Sequence, residues 1–204
     1  MNKEANGFSG SASFAVASKV KVYCQLIKFT LSFMVVFSCV VCYLLAPNIR
    51  FDLASVLLLF TAGMLITGSA NAINQAVEKD TDAVMKRTST RPVAAGRMTA
   101  NEAYTFAIIT GAIGVIIMWY WFNFSSAMIG LFSLFLYAFI YTPLKKINSV
   151  SVLVGAFPGA LPCLIGWVAA TDTFSAGGWV LFGIQFLWQF PHFWAIAWIA
   201  HEDY

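Results

Sequence analysis

The sequence predicts an all-α polytopic membrane helical bundle, and three observations carry that prediction. The 204 residues are 60% hydrophobic and 16% aromatic but only 10% charged, against roughly 25% charged in a soluble domain. Six apolar stretches, at 23–45, 53–73, 103–124, 125–141, 150–170 and 178–199, come close to the ~17–25 residues that a helix needs to cross a bilayer. The cations also sort by connection. Lys3, Lys19, Lys21 and Lys28 precede or open the first span, Lys79, Lys86, Arg87, Arg91 and Arg97 follow the second, and Lys145 and Lys146 follow the fourth, which leaves Arg50 alone on the opposite side. The positive-inside rule makes the cation-rich face, and with it the N-terminus, cytoplasmic. A net charge of +3 therefore reports topology and implies no nucleic-acid partner.

Residues 1–18 are small and polar, lack the apolar run of a signal peptide and predict a disordered cytoplasmic tail ahead of a membrane domain over 19–204. Cys39 and Cys42 in the first span form a CxxC. They and Cys24 and Cys163 sit in apolar sequence with no second ligand pair, so buried thiols are expected in place of zinc or disulfide chemistry. Asn123-Phe124-Ser125-Ser126 suits a tight turn between the third and fourth spans. Pro143 is expected to end the fourth. Gly155, Pro158, Gly159, Pro162 and Gly166 predict a kinked fifth span that approaches its neighbours closely. The sixth carries Trp188, Phe190, Phe193, Trp194 and Trp198, expected at lipid-facing or helix-packing surface. Its His192 is costly to place in hydrocarbon without a partner. No P-loop, dinucleotide glycine fingerprint or Ser-His-Asp order is present.

The stretch from Asn71 to Arg97 breaks this apolar pattern, with Glu78, Lys79, Asp80, Asp82, Lys86, Arg87, Arg91 and Arg97 in 27 residues. Asn74, Glu78 and Asp82 are spaced i, i+4, i+8. On a helix they drift only about 80° while climbing about 12 Å, and Asn71 falls on the same side. Asp80 lies about 200° from Glu78 and is expected to face away. Hard oxygen donors in such a column suit Mg²⁺, which accepts few protein carboxylates and commonly bridges to phosphates. Lys86, Arg87 and Arg91 follow at once and would face phosphate oxygens. A charged connecting loop that merely fixes topology is the plainer reading, but carboxylates at a membrane edge are functional by default.

Asn74-Gln75-x-x-Glu78-x-x-x-Asp82 resembles the first aspartate-rich motif, N-D-x-x-D-x-x-x-D, of the UbiA superfamily of intramembrane prenyltransferases, with Gln75 in place of the first aspartate. Within that superfamily five further stretches resemble the haem O synthase family: M-x-R-T-x-x-R-P at 85–92, Y-T-P-L-K-K at 141–146, G-A-F-P-G-A-L-P at 155–162, P-H-F-W at 191–194 and E-D-Y at 202–204. The last resembles the start of that family's second acidic motif. Members have nine spans where this chain has six. The resemblance therefore leads to the expectation that the chain is C-terminally incomplete, inserts with its N-terminus in the cytoplasm, and forms haem O only when the downstream spans are supplied.

The resemblance implies a UbiA-type bundle in the bacterial inner membrane that transfers a farnesyl group from farnesyl diphosphate to a vinyl group of haem b, with diphosphate released. It implies Mg²⁺ held by Asn74, Glu78 and Asp82, with Glu202 and Asp203 contributing to a second ion. Arg87 and Arg91 would clamp the diphosphate, and Lys86, Lys145 and Lys146 would assist. His192 would contact haem or hydrogen-bond another helix, and His201 would support the neighbouring acids. Contact with haem A synthase or the oxidase assembly machinery is a further implied partnership. A quinone-precursor acceptor would use the same column and cations. An ion-coupled transporter would place its acids nearer the bilayer midplane, and an assembly subunit would tolerate loss of the column.

Overall fold

The computed structural model describes residues 19–145 and 150–199, so the expectations for the 1–18 tail and for Lys146, His201, Glu202 and Asp203 lie outside the described residues. The first span is broken, not continuous as the sequence suggests: α1 (Lys19–Leu26) and α2 (Phe29–Leu44) meet at a 53° bend. Helix α3 (Leu53–Val77) opens on Asp52, whose carboxylate accepts from the Ser55 hydroxyl at 2.6 Å and from the Ser55 amide at 2.9 Å. Those bonds hold the Asp52 carboxyl below the usual carboxylate range. At its other end α3 runs a turn past residue 73 and leads through Glu78 into the short α4 (Lys79–Val84).

Helix α5 (Ala100–Trp121) starts at a capping box in which Thr99 and Glu102 satisfy each other's backbone amides. Asn123 then makes the expected tight turn by capping α6 (Phe124–Phe135), its Oδ1 accepting from the Ser126 amide at 2.8 Å. The span ends one residue past Pro143, at Leu144. A π-helical turn (Leu136–Tyr141) precedes α7 (Thr142–Leu144), and the Thr142 amide donates back to the Tyr137 carbonyl five residues earlier. The widened turn comes just before the residue that has no N–H to give. Two long helices, α8 (Ser151–Thr171) and α9 (Ala176–Ile199), complete the described chain.

Five helices, counting 124–144 as one, are long and apolar enough to cross a membrane, and the bent α1–α2 pair makes a sixth. The protein is an all-α integral membrane protein. Small residues let the backbones close up: a Cβ on Gly114 of α5 would stand 2.9 Å from the Ala62 carbonyl oxygen of α3, and one on Gly166 of α8 would overlap the Cys39 carbonyl oxygen of α2. Replacing Gly166 with Val is therefore expected to destabilise the bundle by about 3 kcal/mol, read as a fall in the thermal unfolding midpoint of purified protein. An unchanged midpoint would mean that α2 and α8 do not pack through this residue.

Cys39, Cys42 and Cys163 are buried thiols, as the apolar sequence implies, whereas Cys24 on α1 is exposed. Helix α8 is the most enclosed span and α9 the least. Trp188, Trp194 and Trp198 are exposed, the last at 87%, which gives α9 an aromatic outer face.

Candidate active site

The C-terminal third of α3 is polar yet buried. Asn71, Asn74 and Gln75 are each 1% exposed, Glu78 2% and Asp82 3%, while Asp80 is exposed. The alignment of Asn74, Glu78 and Asp82 survives the junction between α3 and α4 because the i to i−4 rungs persist through it: the Glu78 amide donates to Asn74 O at 3.0 Å, and the Asp82 amide donates to Glu78 O at 2.8 Å. Asn71 belongs to a different network. Its Nδ2 donates to the Ile27 carbonyl at 3.2 Å and the Ser32 hydroxyl at 3.1 Å, so it joins α3 to the broken first span and not to the column.

Three cations from three parts of the chain close on the column. Arg91, in the connection after α4, lies with Nη1 2.8 and 2.7 Å from the two carboxylate oxygens of Asp82 and 3.9 Å from Glu78 Oε2. Lys145, just past α7, puts Nζ 2.6 and 2.8 Å from the two oxygens of Glu78. Lys28, at the break between α1 and α2, donates to Asn74 Oδ1 at 3.0 Å. Asn74 Nδ2 in turn donates to Glu78 Oε2 at 2.9 Å and to Thr142 Oγ1 at 3.2 Å. Buried carboxylates are tolerated only with such partners. The π-helical turn is what brings Thr142 and Lys145 to this side of the bundle.

Arg91 and Lys145, both expected at the site, are thus paired directly with acids and not standing apart to receive an anion. Lys86 and Arg87 lie exposed in the connection after α4, and His192 is exposed on α9 beside Phe193. Lys28 and Thr142 are site residues that sequence reasoning missed. In the sequence Lys28 carries only a topological signal, and no local pattern marks either side chain, since both meet Asn74 across 46 and 68 residues of sequence. Gln75, at the first acidic position of the motif, does not face the column: its Nε2 donates to the Gln25 and Leu26 carbonyls at 3.0 and 2.9 Å.

Among the described residues no three of His, Cys, Asp and Glu are grouped to hold a metal by themselves. Two carboxylates and an amide oxygen in one buried column nonetheless fit an ion of the Mg²⁺ type, which takes few protein ligands and fills its shell with water and phosphate oxygens. Formal charges at the site add to three cations against two acids, a net of +1.

Comparison with known proteins gives the family of the chain. The sequence profile of the UbiA prenyltransferase family matches residues 35–204. The chain is 48% identical over 183 residues to a protoheme IX farnesyltransferase of Flavobacterium psychrophilum, covering 88% of this chain and 60% of that protein. It is 46% identical to one of Christiangramia forsetii (92% and 62%) and 43% identical to one of Cytophaga hutchinsonii (93% and 66%). The chain thus spans about three fifths to two thirds of the length of these curated relatives. Among solved structures, a digeranylgeranylglyceryl phosphate synthase superposes with a TM-score of 0.73 at 21% identity, covering 83% of this chain and 59% of that one. A UbiA homologue from Archaeoglobus fulgidus, bound to GPP and Mg²⁺, superposes with a TM-score of 0.70 at 14% identity (89% and 64%). At those identities the likeness is one of fold.

Proposed function

We propose, from the premise that the chain belongs to the UbiA prenyltransferase family, that it takes part in transferring a farnesyl group from farnesyl diphosphate to a vinyl group of haem b, with water supplying the hydroxyl of the haem O formed and diphosphate released. The observation that carries this reading is the buried carboxylate pair ringed by Lys28, Arg91 and Lys145, in a chain 43–48% identical to relatives named protoheme IX farnesyltransferase.

Asn74, Glu78 and Asp82 would hold Mg²⁺, which supplies Lewis-acid stabilisation of the charge that develops on a departing diphosphate. With such an ion the formal charge at the site rises from +1 to +3, which matches the roughly −3 of an allylic diphosphate at neutral pH. Arg91 and Lys145 neutralise the carboxylates of the free protein and turn to phosphate oxygens when the ligand arrives. Their attraction grows as negative charge builds on the leaving group, and this favours the transition state over the bound substrate. The exposed Lys86 and Arg87 would meet the diphosphate at the mouth of the site, and His192 on α9 would contact haem. Glu202 and Asp203 would contribute to a second ion. The site would lie on the cytoplasmic side of the bacterial inner membrane, and the protein would contact haem A synthase or the oxidase assembly machinery. A transporter reading is less well supported, because Glu78 and Asp82 follow the end of α3 and do not sit at its middle.

Membranes carrying the chain together with the further length that its curated relatives have, incubated with farnesyl diphosphate, haem b and Mg²⁺, should yield haem O by mass spectrometry, and chelation should stop the reaction. Prenylation of an aromatic quinone precursor in place of haem would overturn the acceptor assignment. In the same assay Asp80→Ala should stay within about twofold of the unsubstituted protein, as expected of exposed surface positions. A loss comparable to that of Asp82→Asn would refute the column.

A further inference from the structure

The break in the first span is held from α3. A helix ending at Leu26 leaves its last carbonyls short of helical donors; the Lys28 amide donates to the Gln25 carbonyl at 3.2 Å, and α3 supplies the other donors. Gln75 Nε2 serves the carbonyls of Gln25 and Leu26, Asn71 Nδ2 serves Ile27 O and Ser32 Oγ, and Ser32 Oγ donates to Ile27 O at 2.6 Å. Ile27 fits because Gly68 has no side chain: a Cβ there would stand 3.1 Å from Ile27 Cγ2. The consequence falls on Lys28. Its backbone is left-handed, with φ 49° and ψ 60°, a conformation unfavourable for an ordinary L residue that persists only when its surroundings impose it. Held in this way, its ammonium reaches Asn74 Oδ1 at 3.0 Å, one amide away from Glu78. Lys28 also borders a shallow surface depression with Lys21, Cys24 and Gln25.

We infer that Lys28 is a third diphosphate-binding cation beside Arg91 and Lys145, and that Gln75 and Asn71 are positioning residues that hold the broken span so as to present it. The inference rests on the prenyl diphosphate reading above. Arg91 and Lys145 each leave a carboxylate when they turn to a phosphate. The partner of Lys28 is a neutral amide oxygen, so its move to a phosphate oxygen breaks no ion pair and gains a charge-assisted bond. It also frees Asn74 Oδ1 for a cation. Gln75 can do its part only as an amide, because a carboxylate at this position would have no proton to give to the Gln25 and Leu26 carbonyls.

The test is the affinity of the purified full chain for inorganic diphosphate in the presence of Mg²⁺, measured by calorimetry. Lys28→Gln, which keeps a donor for Asn74 Oδ1 but loses the charge, should weaken binding about 10–100-fold. Lys28→Arg should remain within about threefold, and affinity for Mg²⁺ alone should not fall in Lys28→Gln. Lys28→Met provides a second, independent variant with the same expected loss. Adding Gln75→Leu to Lys28→Gln should lower the unfolding temperature but cost little further diphosphate affinity, because the cation it positions has already gone. Equal diphosphate binding by Lys28→Gln and the unsubstituted chain would overturn the role of Lys28 alone, and a fully additive loss in the double variant would overturn the positioning role of Gln75. Failure of the unsubstituted chain to bind diphosphate would overturn the prenyl diphosphate reading and this inference together.

Discussion

Prenyl transfer should fall about 10²–10³-fold when Asp82 is replaced by Asn, and by a similar factor for Glu78→Gln. The proposed reaction draws on these oxygens for metal binding, and removing one such electrostatic element typically costs that much in rate. The amide variants are chosen over alanine because each nearly preserves the carboxylate's shape and one acceptor oxygen, so Arg91 and Lys145 keep a partner in a site whose acids are 2–3% exposed. Rates of haem O formation at matched membrane protein levels, with farnesyl diphosphate and Mg²⁺ varied in turn, are the measurement. Retention of more than a tenth of the activity by either variant would remove that residue from the metal site.

Arg91→Ala should damage the fold as well as the chemistry. Nη1 of Arg91 spans both oxygens of an Asp82 side chain that is only 5% exposed, while the Arg91 side chain as a whole remains 21% exposed. Removing one partner of such a pair leaves a buried charge without compensation, which typically costs about 3–5 kcal/mol. A clear drop in thermal unfolding temperature is therefore expected alongside the loss of kcat/KM. The double variant Arg91→Ala/Asp82→Asn should recover most of the stability and none of the activity, since it removes the orphaned charge but restores neither ligand nor clamp. Arg91→Lys should rescue only part of the activity, because an ammonium held on Asp82 has no second nitrogen with which to reach a phosphate oxygen. An Arg91→Ala protein as stable as the unsubstituted one would show that the pair does not hold the connection after α4 in place.

The division between what could be read from the chain and what could not follows the range of the interactions involved. Class and span positions were legible because burial in lipid demands long apolar runs, and five of the six runs appear as helices whose ends shift by no more than about four residues. The shared face of Asn74, Glu78 and Asp82 was legible because it depends only on rungs between residues four apart, and those rungs continue through the junction at Glu78. The exposure of Asp80 follows from the same geometry. Helical periodicity could not reveal that the first span breaks at Lys28, because the donors that make the break tolerable, Gln75 and Asn71, come from a helix more than 40 residues away. Nor could it show that a widened turn at Leu136–Tyr141 precedes Pro143, or that Arg91 and Lys145 rest on the very acids they were expected to accompany. Local spacing determined which oxygens line up along α3. Only the packing of α1, α2 and α7 around that helix decided which cations meet them, since a buried carboxylate takes whatever donor the tertiary structure brings within reach.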